Sequence, residues 1–402
     1  MRRVLLASAV IAGLSLSGSV TLAADERESF EVAHGNSPRI GADANGHIHV
    51  VYQAELKDSD IEHVFYRRSD DHGKTWTEPK DISQIKDGAA SHARIAIEKD
   101  GAVDVVWLDT IPGEKENDVF FVRSADGGKT WGTPIDVSCT PGASSEPCIA
   151  VGPDGNVHVA WVDGPAKSAE IFYAVSDDHG SSWSKGYDVS HTPGTSSSPA
   201  IAVSGEGTVH VSWVDTTSGV KHPDIFYARK PAKGDWTKSI NVSNSAHVSA
   251  QPAIAAVKGD KAYLVWSDNS AKENASDIWC AVGKDGKFES PLNLSNSSGI
   301  SSEPTIFTDG ERVAVAWTDT STKKPDIMGR VGSNGKFSNV LNFTNTPDVS
   351  NSPHVTIGGD RMYLVWEEIG KSKDALRLTS NSLDVPAGQV FAVEQNTEAN
   401  AQ

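Results

Sequence analysis

Arg39 and Arg94 are the residues of this chain best suited to hold an anion, because a guanidinium offers a planar fork of donors that matches a carboxylate or sulfate bidentately. They occupy equivalent places in a pattern. A mark of Pro or Ala recurs as Pro38, Ala93, Pro147, Pro199, Pro252, Pro304 and Pro353, and the residues after it are Arg39, Arg94, Cys148, Ala200, Ala253, Thr305 and His354. The residues before it are Ser37, His92, Glu146, Ser198, Gln251, Glu303 and Ser352. Ala200 and Ala253 show that a small residue suits the position after the mark, so two arginines and a histidine there add a desolvation cost that packing does not require. Arg39, Arg94, His92 and His354, with Glu146 beside them, are therefore the candidate ligand-binding residues. Ordinary salt bridges to Glu146 or to nearby acids are the structural alternative.

A second set of chemical groups is acidic. Asp109, Asp163, Asp215, Asp268, Asp319 and Glu368 each stand two residues past a recurring aromatic, with Ala54 as the exception. Asp118, Glu170, Asp224, Asp277, Asp326 and Asp374 begin the segments that follow, with His63 in the first. A crown of carboxylates could coordinate Ca²⁺ through oxygen. A residue repeated in every unit more often holds the unit together, by capping loop amides or Ser and Thr hydroxyls, so no cofactor and no metal is expected. His49, His158 and His210 read as repeat structure in the same way.

These residues need a scaffold that brings equivalent positions to one place. The aromatic mark recurs as Tyr52, Trp107, Trp161, Trp213, Trp266, Trp317 and Trp366, at steps of 55, 54, 52, 53, 51 and 49, and the Pro or Ala mark keeps nearly the same steps. Two independent marks give seven repeats. One period, 170–215, reads as a strand, a tight turn, a second strand, a polar loop, an apolar strand opened by Ser-Pro, a Gly-rich turn and an alternating strand. Four short strands per period cannot bury both faces alone, and radial stacking covers them. The expectation is an all-β, seven-bladed β-propeller of four-stranded antiparallel blades over 25–394. Ser29 to Ala33 resembles Gly186 to Ser190, the outermost strand of a blade, and is favoured over Gln389 to Val393 to close the ring. Residues 395–402 read as a disordered tail.

Residues 1–24 place Arg2 and Arg3 before an apolar run that ends in small residues, as a secretory signal does, with cleavage near Ala23 or Ala24. No other stretch approaches a membrane span, and a monomer in the periplasm or medium is expected. Thirty-six Lys and Arg against 53 Asp and Glu leave a net charge of -17, which excludes a nucleic-acid partner. Cys139 and Cys148 flank one loop, so a bridge between them is open in an oxidising compartment, whereas Cys280 reads as a buried thiol.

Three turns share the form Ser-x-Asp-x-Gly-x-(Thr/Ser)-Trp: SDDHGKTW from Ser69, SADGGKTW from Ser124 and SDDHGSSW from Ser176. They resemble the Asp-box, or BNR, repeat of the sialidase-like propellers, and 60–79 resembles the first blade of bacterial sialidases. That resemblance implies six blades as the alternative to seven. It also implies that Arg39 binds a sugar carboxylate and that Asp58 or Asp60 is the general acid. The family's second arginine falls near Lys57, and its third arginine and Tyr-Glu nucleophile pair find no counterpart in the later repeats. Three functions follow: a secreted propeller that binds an acidic glycan or an extracellular protein, an exo-sialidase-type glycoside hydrolase, or a periplasmic assembly scaffold.

Overall fold

The computed structural model describes residues 28–383, apart from 57–60, 85–87, 111–115, 141, 165–167, 273–274, 345 and 371–373. Its strands form seven separate antiparallel sheets, and the described residues contain no helix. In chain order the blades are blade 1 (36–81), blade 2 (91–136), blade 3 (144–188), blade 4 (196–241), blade 5 (249–293), blade 6 (301–342) and blade 7 (349–382 with 29–33). The count is seven, not the six of the alternative. Ser29–Ala33 pairs with Ala375–Ser382, with Ser29 opposite Thr379, so the N-terminal strand closes the ring. Gln389 to Val393, the leader and the tail lie outside the described residues.

The blades hold together through the recurring aromatics. Trp107, Trp161, Trp213, Trp266, Trp317 and Trp366 are buried almost completely, and each apolar cluster joins two neighbouring blades. In four blades the indole N–H donates to the acid two residues on: to Asp109, Asp163 and Asp215 at 3.0 Å, and to Asp319 at 3.3 Å. The same acids accept from the serines that open the innermost strands, such as Ser196 to Asp215 at 2.9 Å and Ser301 to Asp319 at 2.8 Å. The second acid set ties down the outermost strands, as Ser243 to Asp224 at 2.7 Å and Ser295 to Asp277 at 2.8 Å show. The crown is thus a repeated cap, and among the described residues no three His, Cys, Asp or Glu side chains gather as a metal set.

Each Asp-box turn closes on its own aspartate. Asp126 accepts the Thr130 amide at 2.8 Å and hydroxyls from Thr130 and Ser124 at 2.6 and 2.8 Å. Asp71 and Asp178 repeat the arrangement. The turn glycine is also a contact between blades. A Cβ on Gly128 (φ +89°) would meet the Tyr66 hydroxyl of blade 1 at 1.9 Å and its ring at 2.2 Å, and one on Gly180 (φ +84°) the Phe121 ring of blade 2 at 2.0 Å. Only glycine fits both the backbone and the space.

The cysteine bridge left open by the sequence does not form. Cys148 is buried between blades 3 and 4 with its thiol donating to the Ala160 carbonyl at 3.4 Å, while Cys139 is exposed beyond the outermost strand of blade 2. Cys280 is buried, as expected.

Candidate ligand-binding site

Every innermost strand carries a β-bulge at the Pro or Ala mark, where its register against the second strand shifts. The residue before the mark takes a left-handed conformation in all seven blades: Ser37, His92, Glu146, Ser198, Gln251, Glu303 and Ser352 have φ between 51° and 56°. A bulge re-aims the side chain that follows it and frees an amide. Seven bulges at one height therefore build the mouth of an axial cavity of about 660 Å³, lined by Arg39, Arg94, His92, Glu146, Cys148 and His354 among others.

Several freed amides are satisfied across the gap between blades. Ser198 N–H donates to Glu146 at 2.6 Å, Glu303 N–H to Gln251 at 3.0 Å, Ser352 N–H to Glu303 at 2.9 Å, His92 N–H to Gln53 at 2.9 Å and Ser37 N–H to Glu367 at 2.5 Å. The capping role of Gln53, Gln251, Glu303 and Glu367 has no counterpart in the sequence reading. One signal was there: Glu146 and Glu303 each stand one repeat ahead of a short serine at the same position. Glu146, counted above among candidate ligand residues, is a cap for blade 4 with one carboxylate oxygen engaged.

The arginines behave differently. Arg39 Nη1 turns back onto the carbonyl of Pro38 at 2.8 Å, and Arg94 Nη1 onto that of Ala93 at 3.0 Å. Among the described residues the arginine ion pairs involve Arg68, Arg123, Arg229, Arg312 and Arg377, and neither mouth guanidinium has a carboxylate at salt-bridge distance. Burial pushes Arg39 down to about 9, with repulsion from Arg94 next, against the weaker pull of Glu367 and Glu303. Burial lowers Arg94 as well, opposed by Cys148 and Glu146. Both groups are half-buried, walled by protein but open toward the cavity. Two desolvated cations side by side, neither of them paired, are an unfavourable arrangement that a bound anion would relieve.

His354 completes the arc. Burial, then Arg39 and Arg94, hold its imidazole well below the ordinary value, so the ring is neutral. Its Nδ1 accepts from the Ile40 amide at 3.3 Å, which leaves the proton on Nε2 as a third donor. His92 is exposed at the lip, lowered by loss of solvent and by Arg94, with Nδ1 3.1 Å from Ser91 Oγ. The structure thus brings Arg39, Arg94, His92, His354 and Glu146 to one cavity. Asp58 and Asp60 lie outside the described residues.

Seven four-stranded blades around an axial cavity make the described chain an all-β, seven-bladed propeller with Asp-box turns at the end of the blades away from the mouth. The chain carries a BNR repeat-like domain over residues 44–211. No curated protein matches it. Among solved structures it is similar to a polysaccharide lyase of family PL25, an ulvan lyase, at 10% identity and TM-score 0.60, covering 88% of this chain and 95% of that one. A Dyadobacter fermentans protein of unknown function is similar at 13% identity and TM-score 0.55, over 88% and 98% of the two chains. An α-L-arabinofuranosidase of Fusarium graminearum, in complex with arabinobiose, is similar at 14% identity and TM-score 0.52, over 73% and 93%. At such identities the likeness shows the fold.

Proposed function

We propose that this protein is a secreted or periplasmic monomer that binds the carboxylate or sulfate group of an extracellular glycan or protein in the axial mouth. The observation that carries the reading is the pair of guanidiniums, Arg39 and Arg94, that line the cavity with backbone carbonyls as their only described hydrogen-bond partners. A bidentate anion would replace those neutral contacts with charge-assisted ones, and His354 Nε2 would add a donor without adding charge. Relatives in fold that act on glycans support the glycan arm of this reading. The exo-sialidase alternative draws on Arg39 as well, but among the described residues no tyrosine lines the cavity, so binding is the function the geometry supports best.

Titration calorimetry with galacturonate, N-acetylneuraminate and sulfate tests the reading. Arg39→Ala and Arg94→Ala should each weaken the anion that binds by about 2 kcal/mol, roughly thirtyfold, whereas Lys287→Ala, exposed on the outer edge of blade 5, should leave it unchanged. Binding should also fall with added salt. If none of the three anions binds in a way that depends on Arg39 or Arg94, the proposal fails. Turnover of a fluorogenic sialoside by the wild-type protein would move the assignment to the hydrolase.

A further inference from the structure

The rim around the mouth changes character from one side to the other. Directly before the buried serines that open the innermost strands of blades 3 to 7 stand Ala143, Thr195, Val248, Ile300 and Val349. Ala143 and Thr195 show that the fold needs no branched aliphatic residue there. Yet Val248 is 38% exposed and Ile300 46%, and Ile369, opposite Val349 in the register, is 44% exposed. The backbone holds these side chains in place. Val248 N–H donates to Asn269 Oδ1 at 2.9 Å, Ile300 N–H to Thr320 Oγ1 at 2.8 Å, and Thr320 N–H returns to the Ile300 carbonyl at 3.0 Å. Blades 5, 6 and 7 therefore each present an exposed aliphatic side chain in a crescent, at Val248, Ile300 and Ile369. Its last member, Ile369, is on blade 7, the blade that also carries His354 of the cavity beside the arginine-bearing blades 1 and 2.

The aromatic content of this face narrows the ligand further. An aromatic ring gives a sugar ring a broad apolar plane to lie on. The one large aromatic exposed among the described residues is Tyr187, on the outermost strand of blade 3, where it already stacks on Trp236 at 6.4 Å and 7°. Small branched side chains beside cationic donors match a different ligand, an aliphatic peptide that ends in a carboxylate.

Resting on the anion reading above, we infer that the ligand is the C-terminal end of an extracellular polypeptide. Its α-carboxylate lies between Arg39 and Arg94 and accepts from His354 Nε2–H, and the aliphatic side chains just before it lie on Val248, Ile300 and Ile369. A chain end can enter an axial cavity, which a side chain on a flat folded surface reaches less well.

A random hexapeptide library with free C-terminal carboxylates, and the same library amidated, should be captured on the mature wild-type protein and sequenced. Hits should be enriched in Val, Ile or Leu within the last four positions and should fall at least tenfold on amidation. The double variant Val248→Ser with Ile300→Ser should lose tenfold or more of that capture and still bind the small anion of the calorimetric test, which also shows that it is folded. Hits without aliphatic enrichment, capture that survives amidation, or galacturonate oligomers that bind more tightly than any peptide would overturn the inference and leave the anion site standing. Loss of small-anion binding in Arg39→Ala and Arg94→Ala separates that site from the crescent.

Discussion

Glu146 and Arg94 line the same cavity, and their environments set them apart: the carboxylate holds the Ser198 amide, while the guanidinium rests on backbone carbonyls. Glu146→Ala should therefore cost stability, about 1 to 2 kcal/mol for the stranded amide, and leave anion affinity equal or higher because a negative charge has gone. Thermal melts beside calorimetry check this, and weaker anion binding at unchanged stability would return Glu146 to the ligand set. The pH dependence of binding follows from Arg39. Burial lowers Arg39 from its ordinary value but leaves the guanidinium charged across the working range, so anion affinity should be flat from pH 6 to 8. Affinity that declines between pH 6 and 8 would assign the binding to a protonated histidine instead. Sequence reasoning could find the arginines because they break a repeat. It could not find Gln53 or Glu367 as caps, since their partners His92 and Ser37 belong to the next blade around the ring, a relation no local pattern encodes.

Turns and bulges are the elements that do the positioning, and they differ in how openly the sequence shows them. The Asp-box turns are legible because Ser, Asp, Gly and Trp all act within eight residues; Ser69, Asp71, Gly73 and Trp76 bond to one another in the first of them. The bulges are half legible. The Pro marks show where they fall, but the left-handed residue before each mark is Ser, His, Glu or Gln, none of which signals that conformation as Gly would. The Cys139 to Cys148 bridge stayed open in the sequence because spacing alone does not report that Cys148 points between blades 3 and 4. Replacing Asp126 by Ala removes the acceptor of three hydrogen bonds and should lower stability by about 1 to 2 kcal/mol, with anion affinity untouched, since the turn is on the opposite face. Gly128→Ala should cost more, because it adds backbone strain and a clash with the Tyr66 ring. Urea denaturation of both variants gives the order, and a milder effect for Gly128→Ala would contradict the packing account.

Three of the seven blades, 1, 3 and 4, share a buried polar pair. His49, His158 and His210 each place Nδ1 2.7 Å from a tyrosine hydroxyl, of Tyr66, Tyr173 and Tyr227, and burial pushes all three imidazoles down to about 4. The unfolded chain takes up these protons first as pH falls. Their contribution is complete above about pH 6.5 and is lost progressively toward pH 4, on the order of a few kcal/mol for each histidine. Melting temperature should fall across that window, and exchanging the three histidines for asparagine should flatten the profile; an unchanged slope in the triple variant would place acid sensitivity elsewhere. On the proposed reading the ring brings Arg39, Arg94 and His354 from three neighbouring blades to one anion. A crystal structure of the protein soaked in galacturonate tests it most directly. Carboxylate oxygens should lie within about 3 Å of both guanidiniums and of His354 Nε2, with the arginine contacts to Pro38 and Ala93 released. Uronate bound elsewhere, or guanidiniums unmoved on their carbonyls under saturating ligand, would contradict it.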